Sequence, residues 1–346
     1  MELQDFLRAI TALPGLSGHE DVVGGAIAEA FAPFVQSVRV DKLKNVIAEM
    51  GDAGPRILVA AHQDEIGLVV MDIEEDGSVR FGCSGGVDTR ILPAMQVVVD
   101  AQQGPLDGVI GAKPPHLLRP EDQKKAVQLK DLHIDLGLTG AQARARVRVG
   151  DRVRLVGPLV ALADGRLAGK TLDDRACVAG MLEAAKRLHE TRVKAQVAFV
   201  ASTREEVGSY GAQTACWALE PDVAIAIDVT HGPMPGADKW QTFPLEKLAI
   251  AIGPNIHPAL RARLVETATR NHIAFVDEPC AGVTPTDADP MQISREGVPT
   301  LLISVPLKYM HTTVEMLEEA TLQELGRLLA LFIGDLGRDW EAIKWN

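Results

Sequence analysis

The chain has 346 residues, 47% of them hydrophobic, and a formal net charge of −12. That length allows a large core and two domains, while the acidic balance argues against a nucleic-acid partner, which wants clustered Lys and Arg. No run of eighteen apolar residues occurs, so no membrane-spanning helix is expected.

The N-terminus "MELQDFLRAITALPG" has early acids and no basic stretch ahead of an apolar one, so it reads as an amphipathic helix, not a signal peptide. Leu3, Phe6, Leu7, Ile10 and Leu13 recur at helical spacing, and Pro14-Gly15 closes the helix. "SGHE", Ser17 to Glu20, has the form of a capping box opening a second helix toward Phe31. "SVRVD", "NVIAEM" and "RILVAA" then read as strands.

From residue 68 the texture changes to short alternating apolar and polar runs with Gly-rich and Asp-Gly turns. Residues 68–162 are therefore expected to form a β-rich domain inserted into the first, with one helix around "RPEDQKKAVQLKDLHI". Beyond it, helical and strand patterns alternate. Val178, Met181, Leu182, Ala185 and Leu188 make a helical stripe that begins at "LDDR". "AQVAFVA", "VAIAID", "LAIAI" and "TLLISV" are apolar strands, with helices expected at 258–271 and 314–335. Such alternation predicts an α/β fold, a mixed, mainly parallel sheet flanked by helices. Cys83, Cys177, Cys216 and Cys280 are scattered without a CxxC, as in reduced, cytoplasmic proteins.

Chemistry-bearing side chains gather where these apolar strands end. "RILVAA" runs into His62, Asp64 and Glu65; "VAFVAST" into Arg204-Glu205-Glu206; "VAIAI" into Asp228; "TLLISVP" toward His311. Each has an ordinary alternative. A single His-x-Asp-Glu is more often a solvated loop, Asp173 a helix cap, Asp228 a turn former and Glu205-Glu206 an exposed pair. Open α/β sheets, however, build sites beyond the carboxyl ends of their strands. Two histidines and three carboxylates delivered there make a donor set for two divalent metals with no thiolate.

"HQDEIG", "GKTLDDR", "TREEVGSYGA", "AIDVTHGP", "PTDADPMQISREGVPTLLISVPLKYMHTTVE" and "GVIGAKPPH" resemble the M42 metallo-aminopeptidases over nearly the whole chain and in the family's order. The resemblance implies a zinc-peptidase domain, residues 1–67 and 163–346, carrying a PDZ-like insert, residues 68–162. It implies His62, Asp173 and Asp228 on one metal, and Asp173, Glu206 and His311 on the other, with Asp173 bridging. Zinc or cobalt is the expected metal. Glu205 would be general base and acid toward a water shared by the metals, and Asp64 would support His62, since i and i+2 in an extended segment face one way. Short peptides would be the substrates, losing single N-terminal residues, and the chain would assemble into a large homo-oligomer, a dodecamer built from dimers. Lys44, Thr284-Pro285 and Lys308 depart from the family pattern without touching a proposed ligand. Cys177 reads as a small core residue, His116 as an insert-surface histidine, and Asp174 and Arg175 as partners around Asp173. His231, His257 and Asp287 are expected along a substrate cleft, and Glu65 in local hydrogen bonds. Rival readings are a di-metal deacylase or carboxypeptidase, a two-carboxylate glycosidase, and a non-catalytic peptide-binding scaffold.

Overall fold

The computed structural model describes residues 1–121, 125, 127–191 and 193–343. Two compact units emerge: Met1–Glu65 with Leu159–Met310 and Val314–Asn346, and Ile66–Pro158 with His311–Thr313.

The first unit opens with α1 (Leu3–Ala12), whose Leu3, Phe6, Leu7 and Ile10 are all buried, as their spacing predicts. Helix α2 (Asp21–Phe31) follows. The Ser17–Glu20 capping box does not form: the Ser17 hydroxyl donates to Asp64, 2.6 Å away. Glu20 instead accepts from the Gly18 N–H at 2.6 Å. Strands β1 (Ser37–Val40), β2 (Val46–Met50) and β3 (Arg56–His62) complete this stretch.

The second unit holds β4 (Gly67–Ile73), β5 (Val79–Ser84), β6 (Gln96–Ala101), β7 (Gly104–Gly111), β8 (His133–Asp135) and β9 (Arg152–Leu155). They close into a barrel in the order β4-β5-β8-β7-β6-β9. Alternate residues such as Leu68, Val70, Val97, Val99 and Val153 fill it. The resemblance implies a PDZ-like insert; the observed strand order is that of a closed six-stranded barrel. The helix expected around "RPEDQKKAVQLKDLHI" falls partly on residues 122–124 and 126, outside the described residues, and its described end is a 3-10 turn, Leu129–Asp131, followed by β8. A helix unforeseen from the apolar pattern, α3 (Gly140–Arg146), starts at a Thr139–Gln142 capping box.

Back in the first unit come β10 (Val160–Ala161), β11 (Arg166–Gly169), α4 (Leu172–Thr191), β12 (Gln196–Ser202), α5 (Tyr210–Leu219) and β13 (Val223–His231). They are followed by β14 (Leu248–Ile252), α6 (Pro258–Arg270), β15 (Phe275–Pro279), α7 (Ala288–Gln292), β16 (Thr300–Leu307), β17 (Glu315–Glu318) and α8 (Glu319–Asp339). The helix expected from 314 thus begins five residues later, because Glu315–Glu318 pairs with β11 as a strand. Among the described residues the large sheet has eight strands, ordered β1-β2-β12-β3-β13-β16-β14-β15. Its centre, β12-β3-β13-β16, is parallel throughout, so four carboxyl ends face one way. The apolar runs of β3, β13 and β16 are buried along almost their full length, as strands covered on both faces must be.

Candidate active site

Register decides which residues meet. Ser202 at the end of β12 lies beside His62 at the end of β3, so the two following loops leave the sheet together. Backbone bonds then tie them: Asp64 accepts from the N–H groups of Glu205 (3.0 Å) and Glu206 (3.3 Å). The same carboxylate lies 3.4 Å from Nδ1 of His62. Asp64 therefore faces Nδ1 of the imidazole and pins the Glu205-Glu206 turn. On the other side of the ring, Nε2 of His62 is 3.0 Å from Oδ1 of Asp173 and 3.9 Å from Oε2 of Glu205.

Asp173 and Asp174 open α4 in non-helical conformations. The Asp173 N–H donates to Glu315 at 3.1 Å, and Asp174 accepts from the His62 N–H at 3.2 Å. Asp228 comes from within β13 and is 6% exposed. Thr171, Arg204 and Ser209 flank these groups with φ near +55°, at 58°, 58° and 53°. Non-glycine residues rarely adopt that region, and where they do the surroundings hold them there, often at functional sites.

Ligand atoms of His62, Asp174 and Asp228 all lie within 4.8 Å of one another, and so do those of His62, Asp173 and Glu206. The first set contains Asp174 where the family pattern places Asp173. His311 belongs to the second unit, where its Nδ1 is 2.9 Å from the Gly86 carbonyl oxygen. A Cβ at Gly86 would stand 2.6 Å from that nitrogen, so glycine alone allows the approach.

The electrostatics of the first unit's cluster are those of a cation-binding cradle. Burial pushes the Glu205 carboxyl up to about 8, with Asp287, Asp173 and Asp64 adding to it against His62. Burial likewise raises Asp174 and Asp228 well above the carboxylate range, Asp287 to about 6 and Glu20 to about 7. His62 would be lowered by its burial, but Asp173, Asp64 and Glu205 together hold it well above its usual value. Crowded acids with one imidazole, all oxygen and nitrogen donors, fit a divalent ion, which offsets the repulsion that protons otherwise relieve. Cys177 offers no ligand: its thiol donates to the Asp228 carbonyl oxygen at 3.4 Å and is fully buried.

This arrangement predicts an inverted pH dependence for the metal-free protein. A carboxyl whose folded pKa is raised binds its proton more tightly in the folded chain, so its stabilisation is lost as pH rises through the folded value; a raised His62 acts in the same direction. Asp64 and Glu65, lowered against their burial by His62 and by Lys170 and Arg175 respectively, oppose this only at lower pH, where they titrate. Melting temperature in chelator should therefore fall from about pH 5 to about pH 8, and added zinc should raise it more at the higher pH. Thermal unfolding across that range, with and without zinc, checks it; a chelated protein most stable at pH 8 contradicts the cradle.

Glu65 has a structural role. Fully buried, it pairs with Lys170 and Arg175 and accepts from the Gly15 N–H at 3.0 Å. Arg175, also fully buried, donates to the carbonyl oxygens of Gln63, Ile10 and Leu13. It thus ties the end of α1 to the His62–Glu65 segment and does not partner Asp173. His257 caps α6, His231 ends β13 exposed, and His116 lies in a 3-10 turn of the second unit. Sequence reasoning missed Ser17, Ser202, Ser209 and Glu20; only the Ser17–Glu20 pattern signalled anything, and it read as a helix start.

The M42 glutamyl aminopeptidase profile matches residues 44–328, and the chain belongs to that family. Lysyl aminopeptidase of Pyrococcus furiosus is 35% identical over 338 residues, 96% of this chain and 97% of that one. The TET aminopeptidase of a marine-sediment Thaumarchaeota archaeon superposes with a TM-score of 0.92 at 30% identity, covering 96% of each chain. The Pyrococcus horikoshii TET1 peptidase, described as assembling into a tetrahedron or a large octahedral shell, gives 0.84 at 32% identity, over 95% of this chain and 98% of that one. Among the described residues no helix is long and apolar enough to cross a membrane.

Proposed function

We propose that this protein is a metal-dependent aminopeptidase that removes single N-terminal residues from short peptides. The observation that carries the reading is the gathering of His62 with two carboxylate sets, and Glu205 beside them, at the carboxyl ends of parallel strands. His62, Asp173, Glu206 and Asp228 would hold two divalent ions, zinc or cobalt, with His311 as the remaining ligand on the family's pattern. Bound, these ions supply Lewis acidity toward the scissile carbonyl and a lowered pKa for the attacking water. Glu205, whose Oε2 lies 3.9 Å from His62 Nε2, takes that water's proton and returns it to the leaving amine. Asp64 keeps the His62 ring and the Glu205 turn in register. The surplus of carboxylates attracts a free α-ammonium, which directs cleavage to the chain's N-terminal end.

A panel of aminoacyl anilides and short peptides, each with free and acetylated N-termini, tests this alongside metal analysis. Turnover of the free-amine forms alone, abolished by chelator, is expected. Preference for acetylated forms would point to a deacylase, and chelator-insensitive sugar hydrolysis to a glycosidase. Metal-loaded protein with no turnover would point to a peptide-binding scaffold.

Residues 68–162 would form the assembly domain of a large homo-oligomer, a dodecamer built from dimers, within the cytoplasm. The Pyrococcus horikoshii relative's shells support this. Light scattering should find a large particle, and replacing the insert by a short Gly-Ser bridge should shrink it. A monomeric wild-type protein overturns the proposal; a deletion variant of unchanged subunit number moves the contacts to the catalytic domain.

A further inference from the structure

The turn that carries Glu205 is held by its backbone. Beyond the end of β12 at Ser202, four successive N–H groups each donate to a side-chain oxygen from elsewhere in the chain. Thr203 donates to Oδ1 of Asn45 at 3.0 Å, and Arg204 to Oε1 of Glu20 at 3.3 Å. Glu205 and Glu206 donate to the two oxygens of Asp64, at 3.0 and 3.3 Å. Backbone donors mostly find backbone acceptors, so three side chains spent on one turn call for a reason.

Asn45 and Glu20 are both fully buried. Nδ2 of Asn45 donates to the Gly211 carbonyl oxygen at 3.0 Å and to Asp41 at 2.7 Å. One amide thus joins both ends of the 203–211 loop. Gly211 permits it: a Cβ there would collide with Oδ1 of Asn45 and with the Thr203 backbone. Glu20 precedes α2 yet makes no capping hydrogen bond. Its Oε1 takes the Gly18 N–H at 2.6 Å besides that of Arg204. Arg204 stands at φ +58°, a conformation that a non-glycine residue keeps only where its surroundings hold it, and it leads directly into Glu205.

We propose that Asn45 and Glu20 are positioning residues for Glu205: by holding the backbone of its turn they keep its carboxylate facing His62. This rests on Glu205 being the base. Neither residue belongs to the sets of ligand atoms around His62, so their task is separable from metal binding.

The test compares Asn45→Ala, Glu20→Ala and Glu20→Gln in the intact protein. It reads kcat and KM on an aminoacyl anilide at saturating zinc, zinc binding by calorimetry, and melting temperature. Each alanine change should lower kcat about 10- to 100-fold, the scale set by displacing a catalytic group. KM and zinc affinity should change little, since Asp64 still holds the N–H of Glu206. Glu20→Gln should keep most of the wild-type kcat, because its amide oxygen can accept the same two N–H groups. A role confined to stability would lower the melting temperature and leave kcat per zinc-loaded molecule at the wild-type value, which overturns the inference. Weakened zinc binding overturns it by moving the effect to the metal ligands, and equal losses in Glu20→Gln and Glu20→Ala overturn it for Glu20. If Asn45→Ala does not fold, Asn45→Ser, polar but too short to reach both ends of the loop, replaces it. Glu205→Gln run beside these separates the two levels: its inactivity with normal kcat in the others sinks only the positioning role, whereas its near-normal turnover sinks the base itself.

Discussion

Glu205→Gln should lower turnover by at least ~10²-fold, the usual scale of general-base loss, while zinc uptake stays that of the wild type. Glutamine keeps the size and the hydrogen bond from Ser209 to Oε1, and Glu205 is in neither of the sets whose ligand atoms crowd His62. The backbone turn is held independently by Asp64 through the Glu205 and Glu206 N–H groups, so the neighbouring Glu206 keeps its place. The expected signature is a collapsed kcat with little change in KM and an unaltered metal-to-protein ratio. Steady-state kinetics with metal analysis on one preparation reads all three. Turnover within a few-fold of wild type would remove Glu205 from the proton transfer, and loss of zinc would recast it as a ligand.

The parts of this site written in short range were legible beforehand. Buried parallel strands are continuous apolar runs, so "RILVAA", "VAIAI" and "TLLISV" announced both themselves and their polar ends, and the sheet delivers those ends to one edge. The place of Asp64 beside His62, where it was expected to support the ring, was legible because two-residue alternation puts them on one side. A second task of Asp64 was not: holding Glu205 and Glu206 spans 141 and 142 residues of chain. Glu65 shows the same limit, its cations Lys170 and Arg175 standing 105 and 110 residues away. Ser17 and Glu20 carry a local capping pattern that tertiary contacts override, Asp64 taking the serine hydroxyl for itself. The displaced start of α8 has the same origin. Residues 315–318 fit a helix by their own pattern, and only β11, far back in the chain, makes them a strand.

Asp173→Ala should cost more than any change around the base, because it strikes ion binding itself. Oδ1 of Asp173 lies 3.0 Å from Nε2 of His62, its carboxylate shares a set with Glu206, and the family pattern makes it the ligand that both proposed ions would share. Outer partners of metal ligands are each worth about 10- to 100-fold in affinity; a shared ligand should exceed that, so zinc affinity should fall by at least ~10²-fold and activity with it. The backbone should survive the change, since the Asp173 N–H donates to Glu315 and the adjoining Asp174 is anchored by the His62 N–H. Lost metal would then report the missing carboxylate and not a collapsed loop. Asp174→Ala is the matched comparison: Asp174 is fully buried and grouped with His62 and Asp228. Equilibrium dialysis of both variants against zinc, with circular dichroism to confirm folding, decides between neighbours. If Asp173→Ala still holds the wild-type complement and Asp174→Ala does not, Asp174 is the shared ligand, and the assignment carried over from the family pattern moves by one residue.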